Sequence, residues 1–245
     1  EKLFESVDEI NKSAVPVQSD GVTRLPADET TGVWVGDIKY KDINGDGIIN
    51  EKDQTVIGNP WPKFTFGFTN SFSYKNFDLS VLVIGTVGND VYNYMRYNMA
   101  NPNGVNIGRN LFEEAFEFAR INSSRTGLVN PGTTVPRITA ADVNGNAKRI
   151  NSFFVEDGSF VRIKNVTLGY TLPARWLRAT GFIRTVRLQA GVQNLATFTK
   201  YKGFDPEIGT YVGKNVGGAD RIFQGVDAGR YPLTRTYTFS VNVDF

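Results

Sequence analysis

Residues 235–245 read Arg-Thr-Tyr-Thr-Phe-Ser-Val-Asn-Val-Asp-Phe, and this stretch limits the possible folds more than any other. Tyr237, Phe239, Val241, Val243 and Phe245 alternate strictly with Thr236, Thr238, Ser240, Asn242 and Asp244. Successive side chains of a strand point to opposite faces, so this strand has one wholly apolar face and one polar face. A tilted strand needs about 9–11 residues to cross a bilayer, which this segment supplies. It reads as the closing strand of a membrane barrel.

Other segments share the pattern. In Phe64 to Tyr74, Phe64, Phe66, Phe68, Phe72 and Tyr74 fall on one face, interrupted only by Asn70, and Thr65, Gly67, Thr69, Ser71 and Ser73 on the other. After Lys75-Asn76, a second strand carries Phe77, Leu79, Val81, Val83 and Val87 on one face, with Leu82 and Ile84 intruding on the other. A third runs from about Phe160 to Leu172, and its phase slips between Ile163 and Val166; a bulge near Lys164, or exit from the membrane zone, accounts for the slip. A fourth runs from about Arg184 to Leu195. A soluble β-sandwich gives the same alternation. The chemistry of the faces separates the two. Solvated strands carry Lys, Glu or Arg to deter edge pairing, whereas these polar faces are mostly Thr, Ser, Gly, Asn and Gln, and the apolar faces are rich in Phe and Tyr. That combination suits a hydrated lumen on one side and lipid on the other.

The gaps between strands set the topology. Bacterial barrels have short periplasmic turns and long outer loops. Residues 64–88 and 159–196 are therefore expected as barrel hairpins and 234–245 as the closing strand. Residues 1–63, 89–158 and 197–233 are expected as extracellular segments, and the C-terminus as periplasmic. With a short strand near Val33–Tyr40 the count reaches six, too few to close a barrel, so the chain is expected to be part of a longer one. Short helices are expected in residues 1–12 and in Asn110–Arg120. The second has Asn110 as N-cap, Glu113 in capping-box position, and Leu111, Phe112, Ala115, Phe116 and Ala119 on one face.

Several functions are excluded by composition. The absence of His removes His-based triads and His metal ligands. The 27 basic and 25 acidic side chains nearly balance, which gives no case for a nucleic-acid groove. No run of apolar residues is long enough for a spanning helix.

One metal motif stands out. Asp42, Asn44, Asp46, Ile48 (by its carbonyl), Asn50 and Asp53 occupy positions 1, 3, 5, 7, 9 and 12 of a calcium loop, with Gly47 at position 6. Asp53 replaces the usual Glu, and the expected role is structural. Asp205-Pro206-Glu207 brings two carboxylates together, which would suit a secreted glycan-cleaving enzyme, but an ordered turn is the expected reading. Gly213, Gly217 and Gly218 lack the context of a phosphate loop. Trp34, Trp61, Tyr92, Tyr94, Tyr97, Tyr201 and Tyr211 sit in or beside the presumed outer loops, where a membrane girdle or loop packing is expected ahead of stacking on a sugar or peptide ligand.

Gly36-Asp-Ile-Lys-Tyr-Lys-Asp-Ile-Asn-Gly-Asp-Gly-Ile-Ile-Asn50 and Ile57-Gly-Asn-Pro-Trp-Pro-Lys-Phe-Thr-Phe-Gly67 resemble the C-terminal region of SusC/RagA-type TonB-dependent outer-membrane transporters of Bacteroidetes. So do Phe154–Pro173, Gln193–Glu207 and Tyr231–Phe245. The resemblance implies an all-β fold: C-terminal strands and long outer loops of an antiparallel transmembrane barrel of about 22 strands, plugged by an N-terminal domain outside this chain. It implies a SusD-like surface lipoprotein as lid, TonB contact through the part outside this chain, and import of oligosaccharides or oligopeptides without covalent chemistry. It also implies that Phe245 is the terminal aromatic read by the barrel-assembly machinery. Without the resemblance, the main rival is a soluble, calcium-stabilised β-sandwich that binds carbohydrate.

Overall fold

The computed structural model describes residues 2–100, 110–214 and 220–245. The chain divides into two compact units, one of Glu1–Gly58 with Tyr92–Val155 and one of Asn59–Val91 with Glu156–Phe245.

The second unit is built on one antiparallel sheet of five long strands: β1 Phe64–Tyr74, β2 Phe77–Val87, β3 Phe160–Thr171, β4 Thr185–Thr199 and β5 Thr236–Asp244. Each strand pairs with its neighbour in sequence, so the order across the sheet is β5-β4-β3-β2-β1. Eleven residues at about 3.3 Å each, tilted by about 45°, span about 25 Å, the height of a barrel's apolar band. The register aligns the apolar residues in rows. Phe72, Leu79, Leu168, Ala190 and Phe239 form one row, and Tyr74, Phe77, Tyr170, Leu188 and Val241 the next. The phase slip in β3 is a bulge: the register shifts where Leu82 pairs with Asn165 and Val83 with Ile163, leaving Lys164 as the extra residue. β4 answers with its own irregularity between Gln193 and Ala196, where Asn194 takes φ 52°. Asn tolerates that left-handed conformation better than most residues. The paired bulges return Val161 and Ile163 to the same face as Val166 and Leu168, so the apolar face runs unbroken through the slip.

In the first unit the core is a cluster of Phe4, Ile10, Val15, Leu25, Val33 and Val35. Helix α1, Val7–Lys12, is capped by Ser6, whose hydroxyl accepts the Glu9 amide at 3.2 Å, and Asp8 and Glu9 sit at its positive end. It occupies only the second half of the expected 1–12 helix, because Lys2–Leu3 is extended and pairs with Ile38–Lys39. The expected strand near Val33–Tyr40 shrinks to those two residues, Ile38–Lys39. Gly36 is the cause. Its φ of +90° turns the chain, and a side chain there would strike Ala119 and Arg137, so Val33 and Val35 enter the core of this unit rather than the expected short strand.

The expected helix over Asn110–Arg120 also shortens, to a single 3₁₀ turn at Glu113–Glu117. Phe112 is extended (φ −69°, ψ 152°) and makes no side-chain cap, so a helix cannot begin at Asn110. Ala115 and Ala119 are buried as the pattern expects, but Phe116 is 69% exposed. Two short helices were not anticipated: α2, Tyr94–Met99, and α3, Ala174–Leu177. Nor was the two-stranded pairing of Thr210–Lys214 with Asp220–Gln224, inside the stretch read as loop. Gly217 and Gly218 lie outside the described residues.

Candidate functional site

The apolar face of the five-stranded sheet is the dominant surface feature. Phe68 and Phe72 are each 58% exposed, Tyr237 59% and Phe239 82%. A sandwich would bury these rings against a second sheet; here they stand open. An exposed aromatic surface spanning five strands is a liability in water and an asset in hydrocarbon. Gly85 gives Phe66 room to lie across β2, since a side chain at Gly85 would occupy the position of that ring.

The opposite face is polar and internally neutralised. Arg187 of β4 reaches over β3 to Asp78 of β2 at 2.8 Å. The crossing point is Gly169, where a side chain would collide with both partners. Farther along β3, Arg162 is 2% exposed. It donates to Thr197 Oγ1 at 2.8 Å, to Glu207 Oε2 at 2.6 Å and to Asp205 Oδ1 at 2.6 Å. Lys164, the bulge residue, shares Glu207 at 3.2 Å. The Asp205-Pro206-Glu207 stretch is thus an ordered turn docked on the polar face, as its sequence suggests. Burial pushes the Asp205 carboxyl up, but the amides of Glu207 and Leu233 together with Arg162 outweigh it, so its pKa lies below the ordinary carboxylate value. Both carboxylates are engaged by Arg162, and Glu207 also by Lys164, which is the arrangement of a structural ion-pair turn.

Nearby, Tyr201 donates to Asp227 Oδ2 at 2.6 Å, and Asp227 also takes the amides of Gly229 and Arg230. Burial pushes the Tyr201 hydroxyl well above its usual range, with Asp227 adding to it. This Tyr is a packing residue. So are Tyr92, Tyr94 and Tyr97 in the first unit. Tyr94 stacks on Tyr97 at 5.6 Å, and Tyr97 meets Phe154 edge-on at 5.3 Å. Trp34 packs against the Phe4–Val35 cluster. Trp61 stands widely open, at 63% exposed.

Residues 42–53 form a tight loop held by its own backbone amides. Asp42 accepts the amides of Gly45 at 2.6 Å and Gly47 at 2.9 Å. Both glycines have positive φ, 75° and 81°. Asp46 accepts the Ile48 amide at 3.1 Å, and Asp53 closes the loop by accepting Ile43 and Asn50 at 2.9 and 2.8 Å. Burial raises the Asp53 carboxyl, but those amides, with that of Asn44 and the side chain of Asp42, bring it below the ordinary value. Each carboxylate oxygen that takes one amide keeps a lone pair for a cation. Among the described residues no three acidic side chains converge into a ready-made metal cluster. A cation here needs the Asn44 and Asn50 oxygens and the Ile48 carbonyl as well, and that all-oxygen set is the one hard cations prefer.

One buried constellation in the first unit escaped sequence reading. Asp37, fully buried, accepts Arg137 Nε at 2.7 Å, Asn146 Nδ2 at 2.8 Å and the Trp34 amide at 2.8 Å. Asn146 Oδ1 in turn takes the Ile38 amide at 2.9 Å and Asn144 Nδ2 at 2.7 Å. The sequence signal was there in part, since Asn144-Gly145-Asn146 marks a turn. Nothing local says that the turn closes on a residue more than a hundred positions away. Arg162 was missed for the same reason.

No family model matches the chain. Among curated proteins it is similar to TonB-dependent receptor P3 of Formosa agariphila, 36% identical over 226 residues, covering 92% of this chain and 20% of that protein. It is 28% identical over 206 residues to TonB-dependent receptor SusC of Bacteroides thetaiotaomicron, covering 84% of this chain and 17% of that protein. Among solved structures, the RagAB peptide importer in its closed-closed state aligns with a TM-score of 0.62 at 25% identity, over 83% of this chain and 20% of that one. The chain therefore spans about a fifth of the length of the curated relatives it matches. These relatives are receptors and an importer, not enzymes, and their folds are transporter barrels. With one aromatic face, one polar face and these relatives, the chain belongs to the SusC/RagA-type TonB-dependent receptors.

Proposed function

We propose that β1–β5 form consecutive wall strands of an outer-membrane importer, and that the rest of the chain forms its outer loops. The observation that carries this is the continuous, exposed aromatic face of a sheet whose other face is polar and ion-paired. In this reading the aromatic face meets outer-membrane lipid and the polar face lines a hydrated lumen shared with the remaining strands and plug. Residues 1–63, 89–158 and 197–233 lie outside the cell, and the Lys75-Asn76 turn, residues 173–182 and Phe245 lie on the periplasmic side. The cargo is an oligosaccharide or an oligopeptide, captured with a SusD-like lipoprotein and drawn in through TonB acting on receptor segments outside this chain. The relatives' names support import in general, and the RagAB structure supports the peptide arm.

Uptake of labelled oligosaccharides and oligopeptides by cells lacking the receptor tests this. Loss of uptake of one class, restored by the intact gene, is the expected result. Unchanged uptake of both classes contradicts it.

We infer further that Asp42, Asn44, Asp46, Ile48, Asn50 and Asp53 hold calcium in a structural role, stiffening the first unit. Calcium at about 100 times its Kd is expected to stabilise that unit by about 2.7 kcal/mol. Replacing Asp42 with Ala is expected to abolish the difference between melts with calcium and with chelator. Identical melts of the unaltered protein in the two buffers exclude the site.

A further inference from the structure

The turn end of the sheet carries a feature that the importer reading does not use. Three pieces of chain meet there and are bonded together. The Lys75-Asn76 turn is tied to the end of β3 by Asn76 Nδ2 donating to Thr171 O at 2.6 Å and by Thr171 N donating to Asn76 O at 2.9 Å. The β3–β4 connection is tied to the end of β5 by Arg184 N donating to Asp244 O at 2.8 Å.

The apolar face ends here in rings. Phe77 lies 4.4 Å from Tyr170, and Phe182 stacks on Phe245 at 6.1 Å with 5° between planes. Trp176 on α3 is 56% exposed. Lys75 in the turn, and Arg175, Arg178 and Arg184 in the connection between β3 and β4, flank these rings in the chain, and all four are exposed. Lys75 lies over the Tyr74 ring at 5.2 Å. None of the four forms an ion pair among the described residues. Of the anionic groups at this end, Asp78 is engaged by Arg187, which leaves Asp244 and the carboxylate at Phe245 against four cations.

Rings flanked by unpaired cations match the boundary of a phospholipid leaflet. The rings suit the boundary, and the phosphates lie one side chain farther out. Arginine's forked guanidinium fits phosphate in two-point contact.

We propose that Arg175, Arg178 and Arg184, with Lys75, bind the phosphates of anionic phospholipids and fix the depth of this wall in its leaflet. The proposal rests on the wall assignment of β1–β5. Each cation near an anionic headgroup strengthens the contact about fivefold.

The test uses the full-length receptor, purified in detergent and titrated with phosphatidylglycerol under native mass spectrometry. Replacement R175Q/R178Q/R184Q is expected to weaken retention of the lipid at least about tenfold, and millimolar inorganic phosphate is expected to leave the lipid in place. A separate reporter, a fluorophore on Val241→Cys read against lipids brominated in the acyl chain, reports on the wall itself. Quenching at 241 with unchanged lipid retention by the triple variant overturns the headgroup site and leaves the wall assignment standing. No quenching at 241 overturns the wall assignment and this proposal with it. Displacement of the lipid by inorganic phosphate shows a free-phosphate site and overturns the lipid assignment.

Discussion

Replacing Arg137 with Met is expected to destabilise the first unit by about 3–5 kcal/mol. Asp37 is fully buried and its charge is met chiefly by the Arg137 guanidinium. The Trp34 amide and Asn146 remain as donors, but neither carries a charge. Removing the cation strands a carboxylate away from water, which is far costlier than removing both charges together. The double variant Asp37→Asn/Arg137→Met should therefore recover a large part of the loss. Hydrogen exchange under mild urea, read separately over 1–58 and 92–155, measures both. Equal losses in the single and double variants would show that the pair acts through packing alone.

The second large effect lies on the sheet. Val166 sits on the central strand, between Val81 and Val192, on the face assigned to lipid. Arg at mid-membrane on a lipid-facing strand costs about 2–4 kcal/mol. Val166→Arg is therefore expected to lower the yield of folded barrel and shift its urea midpoint in liposomes accordingly. Thr167 points to the other face, beside Ser80 and Gly191. Thr167→Asn, which keeps that face polar, is expected to fall within about 0.5 kcal/mol of the parent. The contrast between adjacent residues is the diagnostic, because no general loss of strand propensity produces it.

Much of the sheet was legible in the sequence because its cause is local. A period of two over eleven residues specifies a strand and its faces at once, and the phase slip after Ile163 foretold the bulge at Lys164. The spacing of Asp42 to Asp53 likewise marked a sharp turn at Gly47, where φ is 81°. What failed depended on distant partners. The amphipathic pattern of Asn110–Arg120 was real, and it buries Ala115 and Ala119, but the chain is already extended at Phe112 and allows only one turn. Val33 and Val35 alternate like a strand, yet Gly36 turns them into a core. The partners of Arg162 lie about forty residues away and those of Asp37 about a hundred, and no periodicity encodes such a match.

The central claim is that one face of this sheet touches hydrocarbon. The most direct measurement is a nitroxide scan of residues 236–244, one cysteine at a time, in the full-length receptor reconstituted in lipid. Accessibility to oxygen and to a water-soluble nickel chelate is read at each position. High oxygen and low nickel accessibility at 237, 239, 241 and 243, with the reverse at 236, 238, 240 and 242, is the predicted result. Uniform values along the strand, or low oxygen accessibility at the aromatic positions, would contradict it.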